Sequence, residues 1–134
     1  MSFTQSSSGL GVTTGAMFAS SAWWPPLDVY ESEDRYVIVV EVGGVPEDAL
    51  QVEVSGSQVR IAGSRQSPAN RVGESLSSVH HREIDHGEFE RHIILPGPIA
   101  GDAVEASVAQ GFLEITLPKR PSEGGSTSRC IEVR

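Results

Sequence analysis

A chain of 134 residues, 38% of them hydrophobic, has the size and composition of one globular domain. The formal net charge is −8 and the ten basic residues form no run that could follow phosphates, which argues against nucleic acid and anionic membranes as partners. With Cys130 as the only cysteine, no secretory signal and no apolar run of membrane-spanning length, we expect a cytoplasmic protein without an internal disulfide.

Residues 1–25 predict a flexible, apolar N-terminal arm. No Asp, Glu, Lys or Arg occurs before Asp28, and Ser, Thr and Gly, which order poorly, are frequent. Half of the aromatic residues nevertheless lie in this arm. Such a segment is either a plug against the following domain or a surface that binds other chains, and both interpretations stay open. The candidates for binding other proteins are Phe3, Met17, Phe18, Trp23 and Trp24.

Residues 26–119 predict a single all-β domain. Apolar residues alternate with their neighbours along residues 36–42, 50–54, 59–61, 89–95, 104–108 and 113–117. Turn signals separate these segments, among them Ser55-Gly56-Ser57 and Gln110-Gly111, and no stretch has a helical period. About seven short strands of this kind predict an antiparallel β-sandwich. The polar stretch 64–80 indicates either disorder or an excursion onto another subunit.

Residues 120–134 predict a C-terminal extension. The segment after Pro118 is rich in Gly and Ser and has the composition of a flexible linker. It leads to Ile131 and Val133, an apolar pair that cannot build a core of its own. We therefore expect this pair to be buried against another surface.

Four segments, in order, resemble the small heat-shock protein family. Residues 106–118 are similar to the family's α-crystallin signature, A-x-x-x-N-G-x-L-x-V-x-V-P, and residues 87–96 match its G-x-F-x-R-x-x-x-L-P motif. Residues 26–31 resemble its first strand, and Ile131-Glu132-Val133 its I-x-I/V anchor, in the manner of bacterial and plant members. Gly43 in place of Pro, Gln110 in place of Asn and Ile84 in place of a basic residue depart from the family pattern.

The resemblance implies an immunoglobulin-like sandwich, the α-crystallin domain, in an ATP-independent chaperone that binds unfolding proteins as a homo-oligomer and needs no cofactor. It implies dimers formed by strand exchange, in which a loop strand pairs with the edge around residues 27–30 of the neighbouring subunit. That strand comprises Val79, His80, His81, Arg82, Glu83 and Ile84. The anchor, Ile131 and Val133, would occupy a groove on another dimer, lined by Val52, Val54, Val104 and Ala106.

Arg91 shares strand parity with Phe89 and Ile93, so its guanidinium is expected to turn inward or into the dimer interface. A buried charge needs a partner, and Glu83 and Asp85 are the candidates for a structural ion pair.

Other functions have less support from the residues. The chain has no phosphate-binding loop and no G-x-S-x-G elbow, so we do not expect an enzyme. Its four histidines match no metal spacing, and Cys130 is expected to be an ordinary exposed thiol rather than a redox switch. The alternative is a monomeric co-chaperone, an adaptor of similar sandwich fold.

Overall fold

A computed structural model describes residues 23–73, 75–120 and 128–134. Within these ranges it contains eight strands, which we number in chain order: β1 Leu27–Glu31, β2 Arg35–Glu41, β3 Gln51–Ser55, β4 Gln58–Arg65, β5 Gly87–Ile94, β6 Glu105–Ala109, β7 Phe112–Pro118 and β8 Ser128–Ile131. The helices in these same ranges are three short 3-10 turns, Glu47–Ala49, Pro68–Arg71 and Gly101–Ala103. No helix in the described ranges is long and apolar enough to cross a membrane.

The strands form two four-stranded antiparallel sheets, in the orders β1-β2-β7-β6 and β5-β4-β3-β8. The sequence-based prediction of an all-β antiparallel sandwich is therefore confirmed. One residue in two along each central strand turns inward, as the apolar alternation requires. Ile38, Ile61, Leu113, Ile115 and Leu117 are completely buried between the sheets.

Two tight turns fix the register of the hairpins. Between β3 and β4, Gly56 takes a φ of 63°, which a glycine tolerates without a Cβ clash. Between β6 and β7, Gln110 and Gly111 take φ values of 55° and 85°, the pattern of a type I′ turn. Gln110 thus occupies a left-handed position that asparagine fills more comfortably, and the two-residue loop keeps its geometry regardless.

The β5-β4-β3-β8 sheet contains one strand that the sequence did not predict. This strand, β8, comes from the C-terminal extension and pairs with β3 at the edge of the sheet. Residues 79–84 lie in no strand of their own chain, and all of them are exposed. Their pairing with a second subunit stays a prediction.

Candidate interaction site

The C-terminal extension lies along the groove between the edges of the two sheets. On β3 it pairs antiparallel, with Ile131 opposite Val52 and Cys130 opposite Glu53. Val133 then forms a parallel bridge with Ala106 on β6. The extension therefore crosses from one sheet to the other within four residues, and it satisfies backbone groups at both edges.

Backbone hydrogen bonds fix the end of the extension on β6. The Arg134 amide donates to the Ala106 carbonyl at 2.9 Å, and the Val108 amide donates to the Arg134 carbonyl at 2.7 Å. These bonds do not depend on side-chain identity, so the edges alone would accept many sequences. Selectivity comes from the side chains that the groove receives.

The groove receives apolar side chains. Val52, Val54 and Ala106 are buried and Val104 is half-buried, so the floor belongs to the hydrophobic core. Ile131 and Val133 are half-buried and pack against that core. Glu132, between them, and Cys130, before them, are exposed. The arrangement can bind an extended segment with apolar residues at alternate positions, through reversible contacts.

The outer face of the β5-β4-β3-β8 sheet is polar. Arg60 lies between two carboxylates, with its Nε 2.6 Å from Glu90 and its Nη1 3.5 Å from Glu53. The hydrogen bond from Arg60, followed by the one from His92, lowers the pKa of Glu90. Cys130 reaches Glu53 at 3.6 Å and is exposed. This face therefore offers mainly charge to solvent, although Ile94 at the end of β5 is also exposed on it.

Trp23 is held firmly against the sandwich. Its ring lies under the guanidinium of Arg65, 3.7 Å from the centroid, and meets Phe89 edge-on at a centroid distance of 5.2 Å. Its backbone amide donates to the Glu88 carbonyl at 3.1 Å. For Trp23, the geometry matches the plug interpretation of the arm.

Trp24 behaves differently from its neighbour. Its side chain is 66% exposed, and one face stacks on Arg91, whose guanidinium carbon lies 4.2 Å from the ring centroid. Trp24 is therefore an aromatic surface fixed in place at the boundary of the arm. Three other candidates for binding unfolding proteins, Phe3, Met17 and Phe18, lie outside the described residues.

Arg91 turns inward, as its strand parity predicts, but its partner differs from the expected one. Nη1 donates to the Pro25 carbonyl at 2.6 Å, and burial lowers the pKa of the guanidinium. Among the described residues no carboxylate lies within 4.0 Å of it, so the expected ion pair with Glu83 or Asp85 is not formed within the chain. A main-chain carbonyl and an aromatic ring take its place.

Sequence reasoning missed Arg65 and Gly63. Arg65 shares strand parity with Ile61, so the signal for an inward side chain was present. Besides stacking on Trp23, it donates to the Gly43 carbonyl at 2.9 Å and to the Asp85 carbonyl. A Cβ added at Gly63 would lie 2.7 Å from the Phe89 ring, so this glycine makes room for the aromatic cluster.

Residues 79–84 present both apolar and polar side chains. Val79 and Ile84 are more than half exposed, and together with Val72 and Leu76 they line a cavity of about 330 Å³. His81 contacts Glu83, and Arg82 donates to Ser67. The free edge of β1 also exposes apolar surface at Val29 and Tyr30. The structure brings no three His, Cys, Asp or Glu residues together as a metal site in the described ranges.

The sequence matches one known protein family and several known proteins. The model of the Hsp20/alpha crystallin family matches residues 28–134. Small heat shock protein C2 of Rickettsia felis is 33% identical over 110 residues, which cover 82% of this chain and 68% of that one. Spore protein SP21 of Stigmatella aurantiaca is 32% identical over 100 residues, 75% of this chain and 57% of that protein. The chain thus matches little more than half the length of the latter relative.

Solved structures show the same fold. Heat shock protein 16.0 from Schizosaccharomyces pombe superposes with a TM-score of 0.65 at 32% sequence identity, over 75% of this chain and 90% of that one.

Proposed function

Because the chain belongs to the Hsp20/alpha crystallin family, the small heat shock proteins, we propose that it is an ATP-independent chaperone that holds unfolding proteins and prevents their aggregation. The proposed unit is a cytoplasmic homo-oligomer. Its parts are an apolar arm over residues 1–25, the α-crystallin sandwich over residues 26–119 and an anchoring extension over residues 120–134. No reaction step is needed, since the work consists of reversible apolar contact.

The observation that carries the proposal is the exposed ring of Trp24. A tryptophan with 66% of its surface in water has no role in the core, yet Arg91 holds it in one orientation. Tryptophan contributes a large apolar area with little conformational freedom to lose, which is why it dominates many binding surfaces. In this proposal Trp24, which follows the apolar arm in the sequence and stacks on Arg91, contacts apolar segments of unfolding proteins.

The groove is the second apolar surface in this proposal. When the extension leaves, the edges of β3 and β6 and the side chains of Val52 and Ala106 lose their cover. Burying an aliphatic side chain fully is worth about 1.5 to 3 kcal/mol, and Ile131 and Val133 are only half-buried. Ordering the tail subtracts from that gain, so each tail contact is weak and opens readily.

The oligomer in this proposal uses two further surfaces. Residues 79–84 would add a strand to the free edge of β1 in a second chain and form the dimer. Tails would then link dimers, and many weak contacts together would hold the assembly.

A heat-labile model protein tests the chaperone proposal. At sub-stoichiometric to equimolar oligomer and without nucleotide, we expect light scattering by the heated model protein to be suppressed. Trp24→Ala should require several times more chain for the same protection. The matched control is Phe112→Ala, which removes an exposed aromatic side chain from the outer face of the β1-β2-β7-β6 sheet. This variant should suppress scattering by the model protein as well as the wild type does.

Scattering that the chain leaves unchanged would contradict the proposal. The alternative, a monomeric adaptor of the same fold, is tested by native mass: it predicts a monomer under conditions in which the chaperone proposal predicts an oligomer.

A further inference from the structure

Arg65, the last residue of β4, contacts three separate segments of the chain. In the ladder it lies opposite Gly87, the first residue of β5. Its Nη1 donates to the Gly43 carbonyl in the turn after β2 at 2.9 Å, and its Nε donates to the Asp85 carbonyl at 3.1 Å. Its guanidinium carbon lies 3.7 Å from the ring centroid of Trp23 in the N-terminal arm. One side chain therefore joins the arm, a turn of the opposite sheet and the chain just before β5.

Asp85 is the point at which residues 79–84 rejoin the sandwich. We call residues 79–84 the exchange segment, since the proposed function assigns them to pairing with a second chain. The segment lies in no strand of its own chain and is exposed throughout, and β5 begins two residues past Asp85. The Nε and Nη2 donors of Arg65 both reach the Asp85 carbonyl. These bonds fix the position from which the exchange segment leaves the sandwich.

The Trp23 ring sets the plane of the Arg65 guanidinium. A guanidinium is planar and donates in a fixed fork, so it reaches carbonyls on two different segments together only when that plane is held. An arginine side chain has many rotamers, and an aromatic ring stacked on one face removes much of that freedom. Docking of Trp23 therefore favours the orientation in which Arg65 holds Asp85.

The docking of Trp23 is reversible. Trp23 is half-buried and lies outside the strands, where its amide donates to the Glu88 carbonyl at 3.1 Å and its ring meets Phe89 edge-on. Partly exposed contacts of this kind, next to the start of the chain, open locally at a lower cost than unfolding of the core. The arm can thus leave Arg65 while the sandwich stays folded.

We propose that Arg65 is a positioning residue that couples the arm to the exchange segment. Docked Trp23 holds Arg65 on the Asp85 carbonyl, and the exchange segment is thereby oriented for pairing with a second chain. This inference rests on the proposed function and deepens it, because it names a contact that regulates the dimer. Coupling is reciprocal, so pairing with a second chain strengthens the docking of Trp23. An unfolding protein that draws the arm away from Arg65 loosens the dimer.

Hydrogen exchange followed by mass spectrometry tests the coupling in the full-length chain. Peptides covering residues 79–86 report the order of the exchange segment and of its attachment at Asp85. Arg65→Ala removes the bonds to the Asp85 carbonyl, so we expect amide exchange in these peptides to become about tenfold faster or more. Trp23→Ala keeps those donors but frees the guanidinium, so we expect a smaller acceleration, of about threefold.

The matched control is Arg60→Ala. Arg60 lies on the same strand with the opposite parity, and it binds the carboxylates of Glu90 and Glu53 on the outer face. Its removal also takes an arginine with two acceptors from β4, but exchange in residues 79–86 should stay at the wild-type rate. Peptides from β7, which is paired on both sides, report whether the sandwich of each variant is folded.

The double variant Trp23→Ala/Arg65→Ala distinguishes coupling from two independent effects. If Trp23 acts through Arg65, its removal changes nothing further once Arg65 is gone, so the double variant should match Arg65→Ala within about twofold. Arg65→Lys keeps the charge but not the planar fork, so it should also accelerate exchange. It takes the place of Arg65→Ala in the comparison if that variant does not fold.

Accelerations that multiply in the double variant would overturn the coupling. Exchange in residues 79–86 that is unchanged in Arg65→Ala, or equally fast in Arg60→Ala, would overturn it too. Native mass of the same samples at matched concentration should show a smaller dimer fraction for Arg65→Ala than for Arg60→Ala, and equal fractions would contradict the link to pairing. Light scattering by a model protein heated with the wild type reports the proposed function separately, so suppressed scattering beside multiplying accelerations rejects the coupling alone.

Discussion

Replacement of Arg91 by alanine tests how the sandwich holds the start of the arm. The guanidinium makes two contacts with the segment that precedes β1: a hydrogen bond to the Pro25 carbonyl and a stack on Trp24. Arg91→Ala removes the charged donor from the carbonyl of Pro25, a buried residue. Trp24 loses the surface that fixes its orientation.

The magnitude follows from these two contacts. A hydrogen bond from a charged donor contributes about 1.5 to 3 kcal/mol, and a partly exposed cation–π contact about 0.5 to 1 kcal/mol. Their sum, about 2 to 4 kcal/mol, is an upper bound, because the segment can detach locally before the sandwich unfolds. The lowered pKa of Arg91 still leaves the guanidinium charged at neutral pH.

Urea denaturation followed by circular dichroism measures the loss, and tryptophan fluorescence follows Trp24. Arg71→Ala is the control, because Arg71 is exposed and a surface change of this kind stays within about 0.5 kcal/mol. Arg91→Lys keeps the charge but not the planar group, so it should fall between the wild type and Arg91→Ala. Equal stability of Arg91→Ala and Arg71→Ala would refute the reasoning.

Three further variants test other contacts. Gly63→Ala should lose about 1 to 3 kcal/mol on denaturation, since its Cβ would strike the Phe89 ring, whereas Gly43→Ala meets nothing within 4 Å and should be nearly neutral. Deletion of residues 75–84 should convert dimers to monomers in native mass spectra; a dimer that survives dilution would point to another edge. Joint replacement of Ile131 and Val133 by glycine should shift size-exclusion elution to smaller species with unchanged β-sheet circular dichroism, and an unaltered volume would contradict the anchor's role.

The sandwich was predictable because its strands are amphipathic. Along Arg35–Glu41 and Phe112–Pro118 every inward position is apolar, whereas the outward positions include charged and polar residues, so an apolar period of two predicts both strands. The hairpin turns were predictable for a similar local reason, since Gly56 and Gly111 fill positions with positive φ.

The contacts of Arg91 and Arg65 were not predictable in the same way. Strand parity shows that both side chains turn inward, but their partners are the tryptophans and a carbonyl of residues 23–25. That proximity depends on how the chain enters the first strand, which no periodicity records. The ion pair expected for Arg91 was wrong, because the guanidinium contacts a main-chain carbonyl and an aromatic ring instead.

The tail shows the same limit. Composition predicts that Ile131 and Val133 are buried, and the structure has both packed against the core. The surface that buries the pair lies on β3 and β6, far from residues 131–133 in sequence, and no sequence pattern encodes that contact. The docking of tails on a second chain stays a prediction, as does the pairing of residues 79–84.

One measurement tests the chaperone account most directly. The chain is heated with a heat-labile model protein in the absence of nucleotide, cooled and separated by size-exclusion chromatography. The account predicts that the two elute together in a large soluble complex, while the model protein heated alone is lost as aggregate. A pelleted model protein, with the chain eluting at its unheated position, would contradict it.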